Sequence, residues 1–472
     1  MTDESRPKNS ISADWVLKRI QEGKKVRLRN AVIEGDLDLN KLELPTRRVE
    51  RTEFQKQCGL SEDVKTVDSS IDIANSTIQG AINFNNSTFT KDALFVGATF
   101  IGKAEFHGTT FSENAWFIGA TFRGDAGFNR ATFGKDAWFV GATFIGKAEF
   151  YGTTFSENAG FGRVTFGKIA WFDRAIFGKD ASFDRATFSK GTEFRYATFS
   201  RYAGFDRTTF SEDARFDRAT FSGDAKFDRT TFRRDARFDG TIFNGEAKFE
   251  RATFRKDVTF FETQFGQKLD LNRAKYERAY IRWETVNNHL NYQGAAYLTL
   301  AKNFKNLDYF EDADACYYQY RRIAQSKKSW YGWSKLLDII AWVTCGYGVK
   351  VWRPVFCVLG CVVIFASLYG LFNGIANVGS SEISPLSLDI APLVTQNIHL
   401  IEVYAGDTSW AEYLYFSAAA LTGSTPSDVR PMGEWKYVAV IERLMGYLFL
   451  SLFVVVLTRK MIRQGEVALS SV

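Results

Sequence analysis

From Ile73 onward an apolar residue recurs at alternating spacings of five and six: Ile73, Ile78, Phe84, Phe89, Phe95, Phe100, and so on through Phe260, Phe265, Leu271 and Tyr276. Every such position from 84 to 265 is Phe. Two places before each lies a small or compact residue, as at Ala93, Ala98, Ala104, Thr109, Ala115 and Ala120, and the places just after are polar or Gly. The unit is A-x-F-x-x-(A/T)-T-F-x-x-x, eleven residues long.

Eleven residues also make three helical turns, so a helix is the rival reading. It would have to run for roughly 200 residues through Thr, Phe and Gly, all modest or poor helix formers, without the Leu, Glu and Lys of coiled coils. A solenoid whose turns each send one Phe inward from each side fits better. The composition agrees, with 44 Phe and 37 Gly beside 7 Pro, 5 Cys and 3 His in 472 residues. That length predicts several structural units rather than one core.

These residues resemble the pentapeptide-repeat family, whose five-residue unit has an inward apolar centre with a small residue two places before it. The resemblance implies a quadrilateral β-helix with four units per coil. Here alternate units carry one extra residue, so coils of about 22 residues are expected, about nine of them, in a rod on the order of 45 Å long at roughly 4.8 Å per coil. The fragment Leu28, Ile33, Leu39 has the same spacing and marks a first coil, with a charged insertion over about residues 40–70.

Three scattered histidines, His107, His289 and His399, leave no His-rich metal site and no Ser/His/Asp set. The five cysteines lack zinc-ribbon spacing. No enzyme, metal or cofactor is therefore expected. The start MTDESRPKNS has no apolar core of a signal peptide, which places the repeat part in a reducing cytoplasm. The net charge of +6 is mild, and runs such as FDRATF (183–188) alternate in sign over the outer faces. Relatives that mimic DNA need a strongly negative surface, so no nucleic-acid mimicry is expected. The faces are either solvated or dock a cytoplasmic protein partner.

Beyond Tyr276 the pattern becomes helical: AAYLTLAKNFKNL (295–307) and EDADACYYQYRRIAQSKK (311–328) read as amphipathic helices that cap the open end of the solenoid and link it onward. Segment 329–348 carries Trp330, Tyr331, Trp333 and Trp342 around an apolar run broken by Lys335 and Asp338, the pattern of a helix lying flat at a membrane interface. Its end, TCGYG (344–348), mimics a potassium-channel filter, but the helix before it is too charged to cross a bilayer, so a structural turn is expected.

Residues 354–373 are free of charge and long enough to span a bilayer, and a second span runs from about Tyr437 to Leu457. Basic residues cluster outside the pair, at Arg321, Arg322, Lys327, Lys328, Lys350 and Arg353 before it and Arg459, Lys460 and Arg463 after it, with only Arg430 and Lys436 between. The positive-inside rule therefore puts both termini in the cytoplasm, the 374–434 loop outside, and the protein in the inner (plasma) membrane.

Inside that loop SWAEYLYFSAAAL (409–421) is a helix too short to span, followed by a polar loop and the second span. The stretch 415–463 resembles the pore and inner helix of two-span bacterial potassium channels, through Tyr415-Phe416-Ser417, Leu421-Thr422, Asp428, Pro431, Gly433, the VAV of 438–440, Gly446 and LTRKM at 457–461. The resemblance implies a homotetramer, lined at its filter by Thr422, Gly423, Ser424, Thr425, Pro426, Ser427 and Asp428, with an inner-helix hinge at Gly446. Where that family reads TVGYGD this chain reads GSTPSD, without the two filter glycines whose freedom at positive φ aims carbonyls inward. A wider pore, lined by hydroxyls, with an Asp428 ring and weak discrimination among monovalent cations, is expected. Glu442 and Arg443 point about 100° apart on a helix, so each needs its own partner, and an intersubunit or pore-helix partner is expected for them.

The expected architecture is thus multidomain: an N-terminal helix or arm (1–25), the quadrilateral β-helix (26–276), a helical connector (277–328), an interfacial helix (329–350), and an all-α two-span membrane pore module (351–472). The rival function is a non-conducting membrane-anchored oligomeric scaffold whose solenoid recruits a protein.

Overall fold

The computed structural model describes residues 9–378, 403–404, 408–424 and 426–470. It divides into two compact units, Met1–Cys316 and Tyr317–Val472.

The first unit is a β-solenoid. Each residue pairs in parallel with the residue 22 positions on: Thr88 with Thr110, Ala93 with Ala115, Thr99 with Thr121, Ala104 with Ala126. Four two-residue strands therefore make one coil, as the doubled eleven-residue unit requires. One face is a sheet of eleven parallel strands and another has ten with an antiparallel strand added at its edge, against the nine coils expected. The difference lies at the ends, where Phe gives way to other apolar residues while the pairing continues, from Val26–Arg29 on Ile71–Ala74 to Ala247–Lys248 on Leu269–Asp270. The other two faces merge into one sheet because the strand Thr253–Thr259 turns a corner and pairs with a strand on each.

Phe rings fill the interior in two orthogonal sets. Phe128 lies parallel to Phe150 at 5.0 Å and edge-on to Phe139 at 5.4 Å, and this pattern repeats coil after coil. Each buried Phe contributes roughly 1.5–3 kcal/mol and each favourable ring pair about 0.5–1.5 kcal/mol more. Where the small inward position is Thr, its hydroxyl donates to a Phe carbonyl of the coil before, as Thr230 does to Phe205 at 2.7 Å, except at Thr192, which turns to the Lys190 carbonyl. Where the chain turns two residues after a Phe, that residue takes positive φ, at Gly97 (66°) and Arg185 (60°) alike. The preceding Asp steadies such corners: Asp184 Oδ1 accepts the Asp206 N–H at 2.9 Å.

The insertion is shorter than expected. Asp63–Val67 already belongs to the solenoid, pairing in parallel with Ser87–Phe89, and Thr46–Arg48 adds antiparallel to its free edge. The solenoid also begins earlier than expected, because Ser10–Ser12 pairs with Val32–Glu34 before the first helix.

Helix α1 (Ala13–Gln21) follows, capped by the Ser12 hydroxyl on Asp14 N–H, with Val16, Leu17 and Ile20 buried. Helix α2 (Glu53–Gln57) holds the insertion against the outer surface: Gln55 Nε2 donates to the Arg130 carbonyl at 2.8 Å, and Arg51 donates to the carbonyls of Ser61 at 3.1 Å and Gly108 at 3.0 Å. The Phe54 ring sits 5.6 Å from Tyr151.

At the far end, α3 (Trp283–Val286) and α4 (Gly294–Asn306) bury Trp283, Val286, Tyr297, Leu300 and Phe304. The Asn303 amide donates to Ala279 O at 2.8 Å and accepts from Ala279 N at 2.9 Å, so a side chain takes the place of the next strand. Helix α5 (Phe310–Ser326) carries the chain across the division between units.

In the second unit α6 (Trp333–Cys345) precedes α7 (Trp352–Leu371), α8 (Trp410–Leu421) and α9 (Trp435–Ser470). A small antiparallel sheet joins Ile375–Val378 to Val403–Tyr404 and to Val429–Pro431.

Candidate functional site

Among the described residues two helices are long and apolar enough to cross a membrane: α7 and the Trp435–Thr458 part of α9. Phe356, Ile364, Leu444, Leu450 and Val455 are exposed on them, an apolar surface of the kind that a membrane or a partner covers. Helix α8 has 12 residues, too few to span, and starts at a capping box in which Ser409 and Glu412 bond reciprocally. All three pack together through Ala366, Tyr369, Phe416, Ala420 and Ala439.

Glu442 is fully buried at the centre of this packing. Its carboxylate accepts the Tyr369 hydroxyl of α7 at 2.9 Å and the Ser417 hydroxyl of α8. Ser417 also reaches the Val362 carbonyl at 3.1 Å. One carboxylate of α9 thus joins the other two helices, with a donor on each oxygen, as burial of a polar group demands. Arg443, one step round the helix, goes elsewhere and lines a cavity with Arg430 and Lys436.

The segment after α8 folds back on it. Thr422 Oγ1 donates to Ala418 O or Ala419 O, each 3.0 Å away, and Ser424 Oγ donates to Ala419 O at 3.0 Å, so these hydroxyl protons go to carbonyls at the helix end that already accept the Thr422 and Ser424 N–H groups. Gly423 has φ 85°, and a Cβ there would stand 2.4 Å from the Tyr447 hydroxyl. Thr425 lies outside the described residues. Pro426 and Ser427 line the same cavity as Arg443. Asp428 is exposed and carries no hydrogen bond or ion pair with any described residue. Gly446 lies inside a continuous α9, where a Cβ would be 1.9 Å from the Leu421 carbonyl oxygen; the absent side chain lets the end of α8 lie directly on α9.

Helix α6 presents two unlike faces. Asp338 is buried against Arg321 at 2.7 Å and Lys328 at 2.6 Å. Burial raises its pKa, but bonding to Lys328 and the nearby Arg321 charge outweigh that and hold the carboxyl below its ordinary value. The opposite face is apolar, and Trp330, Tyr331 and Trp333 are 75, 94 and 82 % exposed. Trp342 is stacked by Arg322 at 4.1 Å and Arg353 at 5.2 Å, and donates to Tyr318 Oη at 2.9 Å. The TCGYG segment closes α6, with Gly346 at φ 56° and Tyr347 at φ 59° forming a left-handed end.

Two features escape a reading of the sequence. The small sheet that receives Val429–Pro431 is set by a partner strand more than 50 positions away, although the β-branched ends of Ile375–Val378 hint at a strand. The hydroxyls on Glu442 come from helices whose pairing no spacing predicts. Among the described residues no group of three His, Cys, Asp or Glu side chains is placed to hold a metal ion.

Compared with known proteins, residues 106–154, 139–187, 150–198, 172–220 and 205–253 match the family model for pentapeptide repeats, nine copies in all. That stretch of the solenoid is built of pentapeptide repeats. No curated protein and no solved structure matches the chain.

Proposed function

We propose that this chain, a pentapeptide-repeat β-solenoid continued into a unit with two apolar helices of spanning length, is a weakly selective cation channel of the potassium-channel type. The observation that carries the proposal is the arrangement of a short helix locked through Glu442 between two helices of spanning length, followed by a polar loop that ends in the exposed carboxylate of Asp428, which bonds no described residue. Irregular backbone at membrane depth is stable only where it lines water or is buried in protein, so a loop of hydroxyls there fits a water-filled path. Asp428 would concentrate cations at its mouth, and the GSTPSD sequence would discriminate weakly among them. The unit would assemble as a homotetramer in the plasma membrane with both termini in the cytoplasm and no catalytic step. Gating would enter through the connector, whose chain runs from α5 through α6 into α7. Movement at the inner helix near Gly446 belongs to the same proposal.

The test is cation flux into liposomes holding the full-length protein, with potassium, sodium and a larger organic cation compared, and Asp428→Asn alongside. Flux of several cations, weakened by the substitution, supports the proposal; strict potassium selectivity overturns the weak-filter part of it. Absence of flux across voltage and pH favours a second reading, a non-conducting oligomeric anchor whose solenoid recruits a protein. One observation favours that rival: the Thr422 and Ser424 hydroxyl protons are turned back onto α8.

A further inference from the structure

Beside the loop that follows α8, the second unit encloses a cavity of about 460 Å³. Arg430, Lys436 and Arg443 line it together with the hydroxyl-bearing Ser424 and Ser427, and among the described residues no carboxylate does. Lys436 and Arg443 are seven residues apart on α9, two helical turns, and so share one face. None of the three cations is ion-paired with a described residue. The neighbouring Glu442 is committed to Tyr369 and Ser417. Arg443 Nε is buried and has no hydrogen-bond partner among the described residues. A buried guanidinium nitrogen left without an acceptor is rare in folded proteins, because the lost hydration is not replaced. Ala439 and Val440 supply an apolar wall to the same cavity.

We propose that this cavity binds a phosphate-type anion, with Arg443 as its principal ligand and Arg430 and Lys436 completing the charge. The planar fork of Arg suits the paired oxygens of a phosphate, the two further cations balance its charge, and the Ser427 hydroxyl can donate to a remaining oxygen, the Ser424 proton being held by Ala419 O. The apolar wall suits a phosphodiester carrying hydrocarbon, as in an anionic lipid headgroup, while inorganic phosphate offers the same oxygens without it. The proposal does not rest on conduction; only its lipid source rests on the membrane reading.

The test follows thermal unfolding of the full-length protein in neutral detergent with added phosphatidylglycerol, phosphatidylcholine, or inorganic phosphate against chloride at equal ionic strength. A ligand that binds only the folded state raises the midpoint with its concentration. Phosphatidylglycerol is expected to raise it and phosphatidylcholine not. Arg443→Gln should weaken the effect about tenfold or more, the loss of one charge-assisted hydrogen-bond set. Arg443→Lys, which keeps the charge but not the fork, should fall between. Stabilisation by inorganic phosphate as well assigns the site to the free anion; stabilisation by the lipid alone assigns it to a headgroup. Equal stabilisation by both lipids with none from phosphate overturns the proposal, as does an unchanged effect in Arg430→Gln and Lys436→Gln, exposed positions whose variants should fold if Arg443→Gln does not. Liposomes that pass no cations would sink the channel reading and leave this site standing.

Discussion

The Tyr369 hydroxyl lies 2.9 Å from Glu442 Oε2, a hydrogen bond between two helices of spanning length across 73 positions of sequence. With Ser417 on the other oxygen, it makes Glu442 the shared acceptor of three helices. Tyr369→Phe should therefore destabilise the second unit by roughly 1–3 kcal/mol, the range for a buried polar group losing its partner. Glu442→Gln, which keeps the shape and an acceptor oxygen, should cost less than Glu442→Leu. A double-mutant cycle over Tyr369 and Glu442, read by thermal unfolding in detergent, isolates the pair; effects that simply add would show that the two do not interact.

Gly446→Ala brings a methyl to 1.9 Å from the Leu421 carbonyl oxygen. Overpacking of this kind costs roughly 1–3 kcal/mol, because backbone must move to admit it. A lower unfolding midpoint in detergent is the expected result. Were Gly446 needed only as a hinge, the midpoint would stay and gating alone would change.

Freeing the insertion from the solenoid should expose it to proteases. Gln55→Ala removes the bonds to the Arg130 carbonyl at 2.8 Å and to Thr132 Oγ1 at 3.1 Å, and Arg51→Ala removes those to Ser61 and Gly108. Cleavage within residues 46–62 should accelerate in both variants while the Phe-filled coils stay resistant, since local opening is governed by the local contacts. Unchanged cleavage would mean that Phe54 packing alone holds the segment.

Burial lowers the pKa of His107 from its ordinary value, a larger influence than the nearby Glu105 and Glu149, which raise it. The unfolded chain then binds a proton at a higher pH than the folded one, so stability rises with pH in the window below about 6.5 and is lost as pH falls through it. Hydrogen exchange in the coils around His107 should quicken on acidification from pH 7 to 5, and His107→Gln should flatten that response. An identical response in the variant would assign the acid sensitivity to the carboxylates.

The solenoid was legible because its cause is local and repeated: a Phe every five or six residues, with Ala or Thr two before it, leaves one way to bury every ring. Its ends were less so, because Ile, Leu and Tyr replace Phe there while the pairing goes on, as at Leu271 and Tyr276. The two apolar stretches were legible by length alone, and the helices begin at Trp352 and Trp435, two residues before the expected spans. What the sequence concealed were relationships set by tertiary packing: the Asn303 amide standing in for a strand, Gln55 reaching 75 residues to Arg130, and the donors on Glu442. Gly446 drew notice as a point of bending, whereas its lack of a side chain has a static use in the close approach of two helices.

The 22-residue register gives the solenoid a discrete length scale. Because Thr99 pairs with Thr121 and Ala104 with Ala126, a duplication or excision of one full period returns every remaining side chain to its own face, lengthening or shortening the column by one rung of roughly 4.8 Å. A change of any other size, short of the eleven-residue half period, turns inward Phe positions toward water. Length in this protein can thus be altered only in whole steps, so the solenoid is a graduated spacer whose reach is adjustable without redesign of its interior.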